Sequence, residues 1–420
     1  MKKPENRDAR TSLTVGRSCA ILGSRDTRPS LAVGRAFAVL GSRDTRPSLA
    51  VAIHNQAEAL HQGCTRCRAC VSHCAFLQKN GTPGEIAASL LAGNSAVDPF
   101  ECSLCNLCTG VCPAQIAPGD FFLEMRRQVV AHNKLPVRRY GPILKYEKRG
   151  SSRLFSWYGL PTGCDTVFFP GCTLPGTRPE TTWSIYQQLQ EQIPHLGAVL
   201  DCCHKPSHDL GRQDSFLVWF TDMRDWLIRH GVRLIIVACP NCYKIFHEYG
   251  HGLHVRTAWE IFAEIKVATF HPAISHSRVT VHDPCPLRDH QDAQQAVRTI
   301  LRRLGLKVRE MRHSRKHTIC CGEGGSVGLI NPDLAGKWGE KRKMEAGNDL
   351  VITYCAGCAA LLAKTGIKVV HLGDLLANPE KALTGKASVA RAPRTYLNRI
   401  RLKRRLQKAI HTGQQNDERE

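Results

Sequence analysis

A chain of 420 residues with 20 Cys and a formal charge of +22 is long enough for roughly two to four domains with their own cores. It shows no N-terminal apolar run of a secretory signal and nothing near the ~18 consecutive apolar residues of a membrane span, so cysteines grouped as C-x2-C and C-C point to metal and not to disulfides. Ten Lys/Arg against four Asp/Glu in residues 1–50, and ten against three in residues 386–420, hold most of the basic excess; no recognition motif accompanies it, and no nucleic-acid partner is expected.

Residues 1–50 contain a repeat of 18 residues, in which Arg25 to Val33 (RDTRPSLAV) recurs as Arg43 to Val51. Each copy is too poor in large apolar residues to bury a core, so the segment is expected to be a disordered repeat. The near-identity of the copies suggests an upstream duplication read in frame, with the start near Val51; an Arg- and Ser-rich transit peptide is the rival reading. Cys19 lies here and is assigned no ligand role.

Residues 52–135 carry Cys64-Thr65-Arg66-Cys67-Arg68-Ala69-Cys70-Val71-Ser72-His73-Cys74 and then Cys102-Ser103-Leu104-Cys105-Asn106-Leu107-Cys108-Thr109-Gly110-Val111-Cys112-Pro113. Both read C-x2-C-x2-C-x3-C, and the second ends in C-P, the run of bacterial two-cluster ferredoxins. In that run the fourth Cys ligates the other cluster. Cys64, Cys67, Cys70 and Cys112 are therefore expected to hold one [4Fe–4S] cluster, and Cys102, Cys105, Cys108 and Cys74 the other. Zinc sites built from C-x2-C pairs do not account for this spacing. Between the runs, Gly84 to Gly93 reads as a short helix with Ile86, Leu90 and Leu91 on one face and Gly93 as its stop. Phe121, Phe122, Met125 and Val129 continue at helical spacing, so the domain is expected to be mostly α-helical.

Residues 136–163, with Pro136, Arg138, Arg139 and Lys145 to Arg149, read as a linker with a solvated basic face. From residue 164 an α/β pattern occurs twice, over 164–270 and 271–378. In the first copy Thr166 to Phe169 leads to Cys172, Ala198 to Leu200 to Cys202-Cys203, and Leu234 to Ala238 to Cys239-Pro240-Asn241-Cys242. In the second, Val279 to Val281 leads to Cys285, Thr318-Ile319 to Cys320-Cys321-Gly322, and Leu350 to Thr353 to Cys355-Ala356-Gly357-Cys358. Helices are expected between, from Phe216 to His230 and from Ala293 to Leu304. Short apolar strands alternating with helices argue for parallel sheets covered on both faces. Ligands of such sheets sit beyond the carboxyl ends of the strands, where all six Cys groups are expected. Cys164 has no counterpart in the second copy and reads as a plain thiol.

Each copy thus offers five thiolates, more than a zinc or a cubane cluster needs, and adjacent Cys suit a larger or opened cluster with bridging thiolates. Gly322, Gly324 and Gly325 let backbone N–H groups approach sulfur; the first copy has His204 in place of Gly322. The two motifs resemble the duplicated CCG domain of heterodisulfide reductases. With the preceding double run, the layout over about residues 60–375 is similar to their fused D-type subunit. It is equally similar to iron–sulfur subunits of glycolate oxidase, lactate-oxidation and anaerobic glycerol-3-phosphate dehydrogenase complexes. The resemblance implies an α+β multidomain chain: an α-helical double [4Fe–4S] ferredoxin domain followed by two α/β CCG cysteine-rich domains. It also implies one or two further, non-cubane [4Fe–4S] clusters on Cys172, Cys202, Cys203, Cys239 and Cys242 and on Cys285, Cys320, Cys321, Cys355 and Cys358, with zinc in the first site as the alternative.

The function expected is that of an iron–sulfur oxidoreductase subunit carrying electrons from two cubes to the CCG sites for disulfide/thiol redox chemistry. The alternative is an electron-transfer subunit of a flavin-dependent glycolate/lactate or glycerol-3-phosphate dehydrogenase that passes electrons toward quinone. The implied partners are a flavoprotein dehydrogenase subunit, a membrane cytochrome or a quinone-reducing subunit, with the chain in the cytoplasm or peripheral at the inner face of the membrane. His204 and His208 are candidate proton donors or outer hydrogen-bonding groups. Asp283 reads as a turn residue. Gly322 to Gly328 lacks the strand–turn–helix context of a dinucleotide site. Residues 379–420 read as a basic tail, in which Tyr396, Leu397, Ile400 and Leu406 share the apolar face of a frayed helix.

Overall fold

The structure, a computed structural model, describes residues 49–94, 96–265 and 277–417; nearly all of the repeat, and Cys19, lie outside them. Six helices surround the ferredoxin-type runs: α1 Leu49–Gly63, α2 Ala75–Asn80, α3 Pro83–Leu91, α4 Leu107–Gly110, α5 Pro118–Ala131 and α6 Val137–Gly150. Helix α3 begins with a reciprocal cap. The Glu85 amide donates to Thr82 Oγ1 at 3.3 Å, the Thr82 amide donates to the Glu85 carboxylate at 2.7 Å, and Pro83 occupies the first turn. Ile86 of α3, Phe121, Phe122 and Met125 of α5, and Ile53, Ala57 and Leu60 of α1 bury into one core. Helix α1 went unread in the sequence, although 53, 57 and 60 fall on one helical stripe.

The stretch 136–163, expected as a linker, is ordered. Helix α6 turns Arg138, Arg139, Lys145, Lys148 and Arg149 to solvent and buries Tyr140 and Glu147. It is followed by β1 Trp157–Gly159, antiparallel to the strand Gly197–Leu200. The solvated basic face is present, but it is one side of an amphipathic helix.

The first sheet contains β1, β2 Thr166–Phe169, β3 Gly197–Leu200, β4 Leu234–Val237 and β5 His254–Thr257 in the order β1-β3-β2-β4-β5, parallel except for β1. Its helices are α7 Thr173–Thr177, α8 Pro179–Gln190, α9 Lys205–Asp209, α10 Gln213–Arg229, α11 Pro240–Tyr249 and α12 Ala258–Glu264. The second sheet, all parallel, runs β7-β6-β8-β9 with β6 Arg278–His282, β7 Lys307–Arg309, β8 Leu350–Thr353 and β9 Val369–His371. Helices α13 Gln291–Arg303, α14 Pro332–Ala346, α15 Ala356–Lys364, α16 Leu372–Ala377 and α17 Pro379–Leu383 accompany it. Phe262 of α12 and Val297 and Ile300 of α13 belong to one buried core that joins the two sheet domains.

Two readings are corrected. Thr318-Ile319 is not a strand: the neighbouring strand is β7, and the segment is pinned by side chains, with Thr318 Oγ1 donating to Asp283 O at 2.7 Å and Arg288 Nη2 donating to Thr318 O at 2.6 Å. The basic C-terminus is likewise not a frayed tail. Helix α18 Arg394–Asp417 docks on the first sheet domain through Leu402, Leu406 and Ile410, all buried, while Leu397 is exposed. The buried stripe is 402, 406 and 410, with Lys403 donating to Arg153 O and Ser156 O at its edge.

Candidate redox site

The two ferredoxin-type loops have the same backbone. Arg66 and Arg68 in the first, and Leu104 and Asn106 in the second, all have positive φ near 50–62° at equivalent positions between and after the first two Cys. Alternation of this kind turns successive amides inward as an anion-binding concavity, and Leu104 N donates to Cys102 Sγ at 3.4 Å. Cys64, Cys67, Cys70 and Cys112 line one small cavity, which Cys108 also touches. Cys74, Cys102, Cys105 and Cys108 act on one another electrostatically as a second group. Burial, then neighbouring Cys64, pushes the Cys70 thiol up to about 11; burial, then Cys105 and Cys102, raises Cys74 well above the usual thiol range. Thiols so placed become thiolates only against a bound cation.

In the α/β copies the C-x2-C pairs straddle helix starts. Cys239 and Cys355 occupy the N-cap positions of α11 and α15, and Cys242 and Cys358 lie in the first turns. Each copy gathers its five thiols. In the first, Cys202 adjoins Cys172, and Cys242 adjoins both Cys239 and Cys203, all as free thiols. In the second, Cys321 Sγ hydrogen-bonds to Cys358 Sγ at 3.1 Å, with Cys285 adjoining Cys320, Cys320 adjoining Cys321, and Cys358 adjoining Cys355. Hydrogen bonds from Cys202, Cys242 and Cys285 hold Cys172, Cys239 and Cys320, respectively, below the usual thiol range. Cys164 lies apart, its Sγ 3.3 Å from Thr166 O, as a plain buried thiol.

Both sets open onto one cavity of about 440 Å³. Its wall includes all five cysteines of the first set, Cys285, Cys321, Cys355 and Cys358 of the second, and Cys105 of the ferredoxin-type domain. Cys102 and Cys105 lie within electrostatic reach of Cys320 and Cys285, respectively, so the second set adjoins the Cys74 group. Arg126 of α5 ties this junction together. Fully buried, it donates to Pro99 O (3.0 Å), Phe100 O (3.1 Å), Cys102 O (2.5 Å), Asp209 O (2.7 Å) and Gly325 O (3.1 Å), reaching all three domains. Arg288 makes a second tie, donating to Cys105 O at 3.0 Å.

Two cavity residues escaped the sequence reading. Lys205 and Glu323 each stand two residues after a Cys pair, in Cys-Cys-His-Lys and Cys-Cys-Gly-Glu, and aligning the two copies would have found them. Lys205 senses Cys203 and Cys285, one from each set. Burial opposes its charge, but Asp209 outweighs this and raises it. Glu323 is pushed up to about 7 by burial and then by Cys320, and it faces Lys205. Its carboxylate lies over Gly357, where a Cβ would meet Glu323 Oε2 at 1.9 Å, so a side chain at this position would displace the Glu323 carboxylate.

His204 and His208 are buried but do not line the cavity. His204 Nε2 pairs with Ser151 Oγ at 2.9 Å, and His208 lies between Asp209 Oδ1 (3.0 Å) and the Tyr249 hydroxyl (3.1 Å). His204 adopts φ 56° where Gly322 has φ 102°, so the backbone is left-handed at this position in both copies despite the change of residue. Asp283 is a structural anchor: fully buried, it accepts from Arg298 Nη1 (2.6 Å) and Nη2 (2.8 Å), Tyr354 OH (2.9 Å) and Arg315 N (2.7 Å).

The donors suit anionic clusters. Arg399 of α18, buried and within electrostatic reach of Cys172, has no partner for Nη1 among the described residues. An unpaired buried guanidinium nitrogen beside a thiol set fits a negatively charged group held there.

Comparison with known proteins agrees. Residues 61–116 match the 4Fe-4S dicluster domain, and residues 166–247 and 279–363 each match the CCG cysteine-rich domain. The chain is an iron–sulfur oxidoreductase component with paired CCG domains. It is 27% identical over 352 residues to a fumarate reductase (CoM/CoB) subunit of Methanothermobacter marburgensis, covering 75% of this chain and 70% of that one. It is 24% identical over 385 residues to a dihydromethanophenazine:CoB–CoM heterodisulfide reductase subunit of Methanosarcina barkeri, covering 75% and 92%. It is also 24% identical over 336 residues to EtfAB:quinone oxidoreductase of Syntrophomonas wolfei, covering 73% and 43%. No helix among the described residues is long and apolar enough to cross a membrane.

Proposed function

We propose that this chain conducts electrons between the two cluster sites of its dicluster domain and a thiol/disulfide couple bound in the cavity between its CCG domains. The observation that carries the reading is that cavity, whose wall takes cysteines from both five-thiol sets and from the adjoining ferredoxin-type loop. Cys64, Cys67, Cys70 and Cys112 would hold one [4Fe–4S] cube, and Cys74, Cys102, Cys105 and Cys108 the other. The two five-thiol sets would hold the further clusters, with zinc in the first as the alternative. Such clusters supply one-electron transfer at potentials tuned by charge and hydrogen bonds.

Reducing a disulfide consumes two electrons and two protons and yields two thiols. The facing CCG sets can each take one sulfur, and Lys205 and Glu323 stand at the wall as proton-bearing groups. Electrons are supplied or withdrawn by a flavoprotein dehydrogenase subunit or by a cytochrome or quinone-reducing subunit; relatives named for fumarate reduction, heterodisulfide reduction and EtfAB:quinone oxidoreduction support a shared, partner-dependent wire. This reading places the chain in the cytoplasm, with any membrane contact made through a partner.

The test is EPR of the anaerobically purified, oxidised protein with and without added thiol. A paramagnetic signal that appears only with thiol is expected, and it should disappear in Cys321→Ser. Identical spectra under both conditions would overturn the thiol/disulfide assignment and leave electron transfer to partners alone.

A further inference from the structure

The two CCG sites differ in the residue that ends the strand before the first cysteine. Strand β2 ends at Phe169, which packs edge-on against Phe246 with ring centroids 5.2 Å apart. Strand β6 ends at His282 in the same register, three residues before its first Cys. His282 is fully buried at 0% exposure, and neither ring nitrogen has a hydrogen-bond partner among the described residues. A ring nitrogen and the Sγ atoms of Cys321 and Cys358 lie within 4.8 Å of one another.

A second group makes the same point from another element. Arg342 of α14, also 0% exposed, donates through Nη1 to His313 O at 2.7 Å and to Glu345 Oε2 at 2.9 Å. Its Nε and Nη2 have no partner among the described residues, and it lies within electrostatic reach of Cys321 and Cys358. An unmatched buried polar group is costly, and more so when charged. Orphans on two separate elements beside the same pair of sulfurs therefore call for an acceptor. Cluster sulfur is one, and the thiolates of the set are others. A further ligand is not needed, since the first set has the same five cysteines with a phenylalanine in this place.

We propose that His282 and Arg342 form a hydrogen-bonding cradle for the cluster of the second CCG domain, with His282 donating N–H to sulfur without ligating iron. The inference rests on the reading that this set holds an iron–sulfur cluster. Donors and positive charge favour the more negative, reduced state of a cluster. His282 thus raises the potential of the second site above that given by an apolar wall such as Phe169, which biases the two sulfurs of a bound substrate toward different roles.

The test is a potentiometric EPR titration of the full-length holoprotein carrying His282→Phe, with the second-site signal identified by its loss in Cys321→Ser. Iron and acid-labile sulfide should match wild type. The second-site redox equilibrium should shift about tenfold toward the oxidised form, ~59 mV for a one-electron couple, while the dicluster signals stay in place. His282→Gln, which keeps an N–H donor, should recover most of the shift. If the phenylalanine variant does not fold, pulsed EPR on wild type labelled with [15N]histidine decides, a weak nitrogen coupling being expected. An unmoved potential overturns the proposal, as does iron loss with strong nitrogen coupling, which would make His282 a ligand. Wild type with only about eight irons, the two cubes alone, would overturn both this inference and the function on which it rests.

Discussion

Replacing Arg126 by Met removes the side chain that holds the three domains at their common junction. Its guanidinium donates five hydrogen bonds, all to backbone carbonyls, two of them across domain boundaries to Asp209 O and Gly325 O. A hydrogen bond to a charged group is worth about 1.5–3 kcal/mol net, which would sum to more than the loss expected. Burying the guanidinium costs several kcal/mol, and Met returns apolar packing of similar length. The balance is a destabilisation of about 3–5 kcal/mol, the range for breaking a buried charged network. Anaerobic denaturant unfolding of the holoprotein measures it. The junction should also open early, so protease should cut the variant between α5 and α6 at denaturant concentrations that leave wild type intact. Stability within about 0.5 kcal/mol of wild type, the range of an inconsequential surface change, would refute the clamp.

Leu406→Ala should cost about 2–5 kcal/mol, because α18 is docked with Leu406 at 1% exposure; a loss near zero by thermal unfolding would restore the picture of a loose tail. Gly322→Ala should be strained, since φ is 102° and the new Cβ would stand 2.8 Å from Ala335 O, costing about 1–3 kcal/mol, whereas His204→Gly should relax the same backbone position in the first copy; unfolding midpoints of the two variants should move in unlike measure. Buried His371 is held neutral, its pKa lowered to about 3 by burial and then by Arg178. The unfolded chain therefore takes up a proton below about pH 6.5 that the folded chain refuses, and stability present above that pH is lost as pH falls toward 3, by up to about 1.36 kcal/mol per unit. His371→Asn should flatten this dependence between pH 7 and 5.5 in urea unfolding; equal slopes for both proteins would contradict it.

What could be read in the chain was whatever spacing alone constrains. Three cysteines on one tight loop leave little freedom, so the double run and the twin five-cysteine patterns stood out, and the structure gathers the thiols into groups. Short β-branched runs such as Leu234 to Val237 and Leu350 to Thr353 announced buried parallel strands for the same reason. Residues whose partners come from afar were illegible. The basic residues of α6 hid an amphipathic helix because its buried face is small. In α18 the stripe of Leu402, Leu406 and Ile410 competed with Leu397 and Ile400, and only the docking surface of the first sheet domain chooses between them. Thr318-Ile319 looked like a strand, but Arg288 and Asp283 hold it as a loop. Arg126, Arg342, Lys205 and Glu323 are ordinary charged residues in the sequence and acquire meaning from the carbonyls, sulfurs and cavity around them.

The central claim is that the two five-thiol sets are iron–sulfur sites facing one cavity, fed by the dicluster domain. Iron, zinc and acid-labile sulfide per chain, measured on anaerobically purified wild type and on Cys203→Ser and Cys321→Ser, test it most directly. Iron and sulfide clearly above the roughly eight atoms of two cubes are predicted, falling in the CCG variants while the dicluster EPR signals persist. Iron at about eight, with zinc making up the CCG sites and sulfide unchanged in both variants, would contradict it.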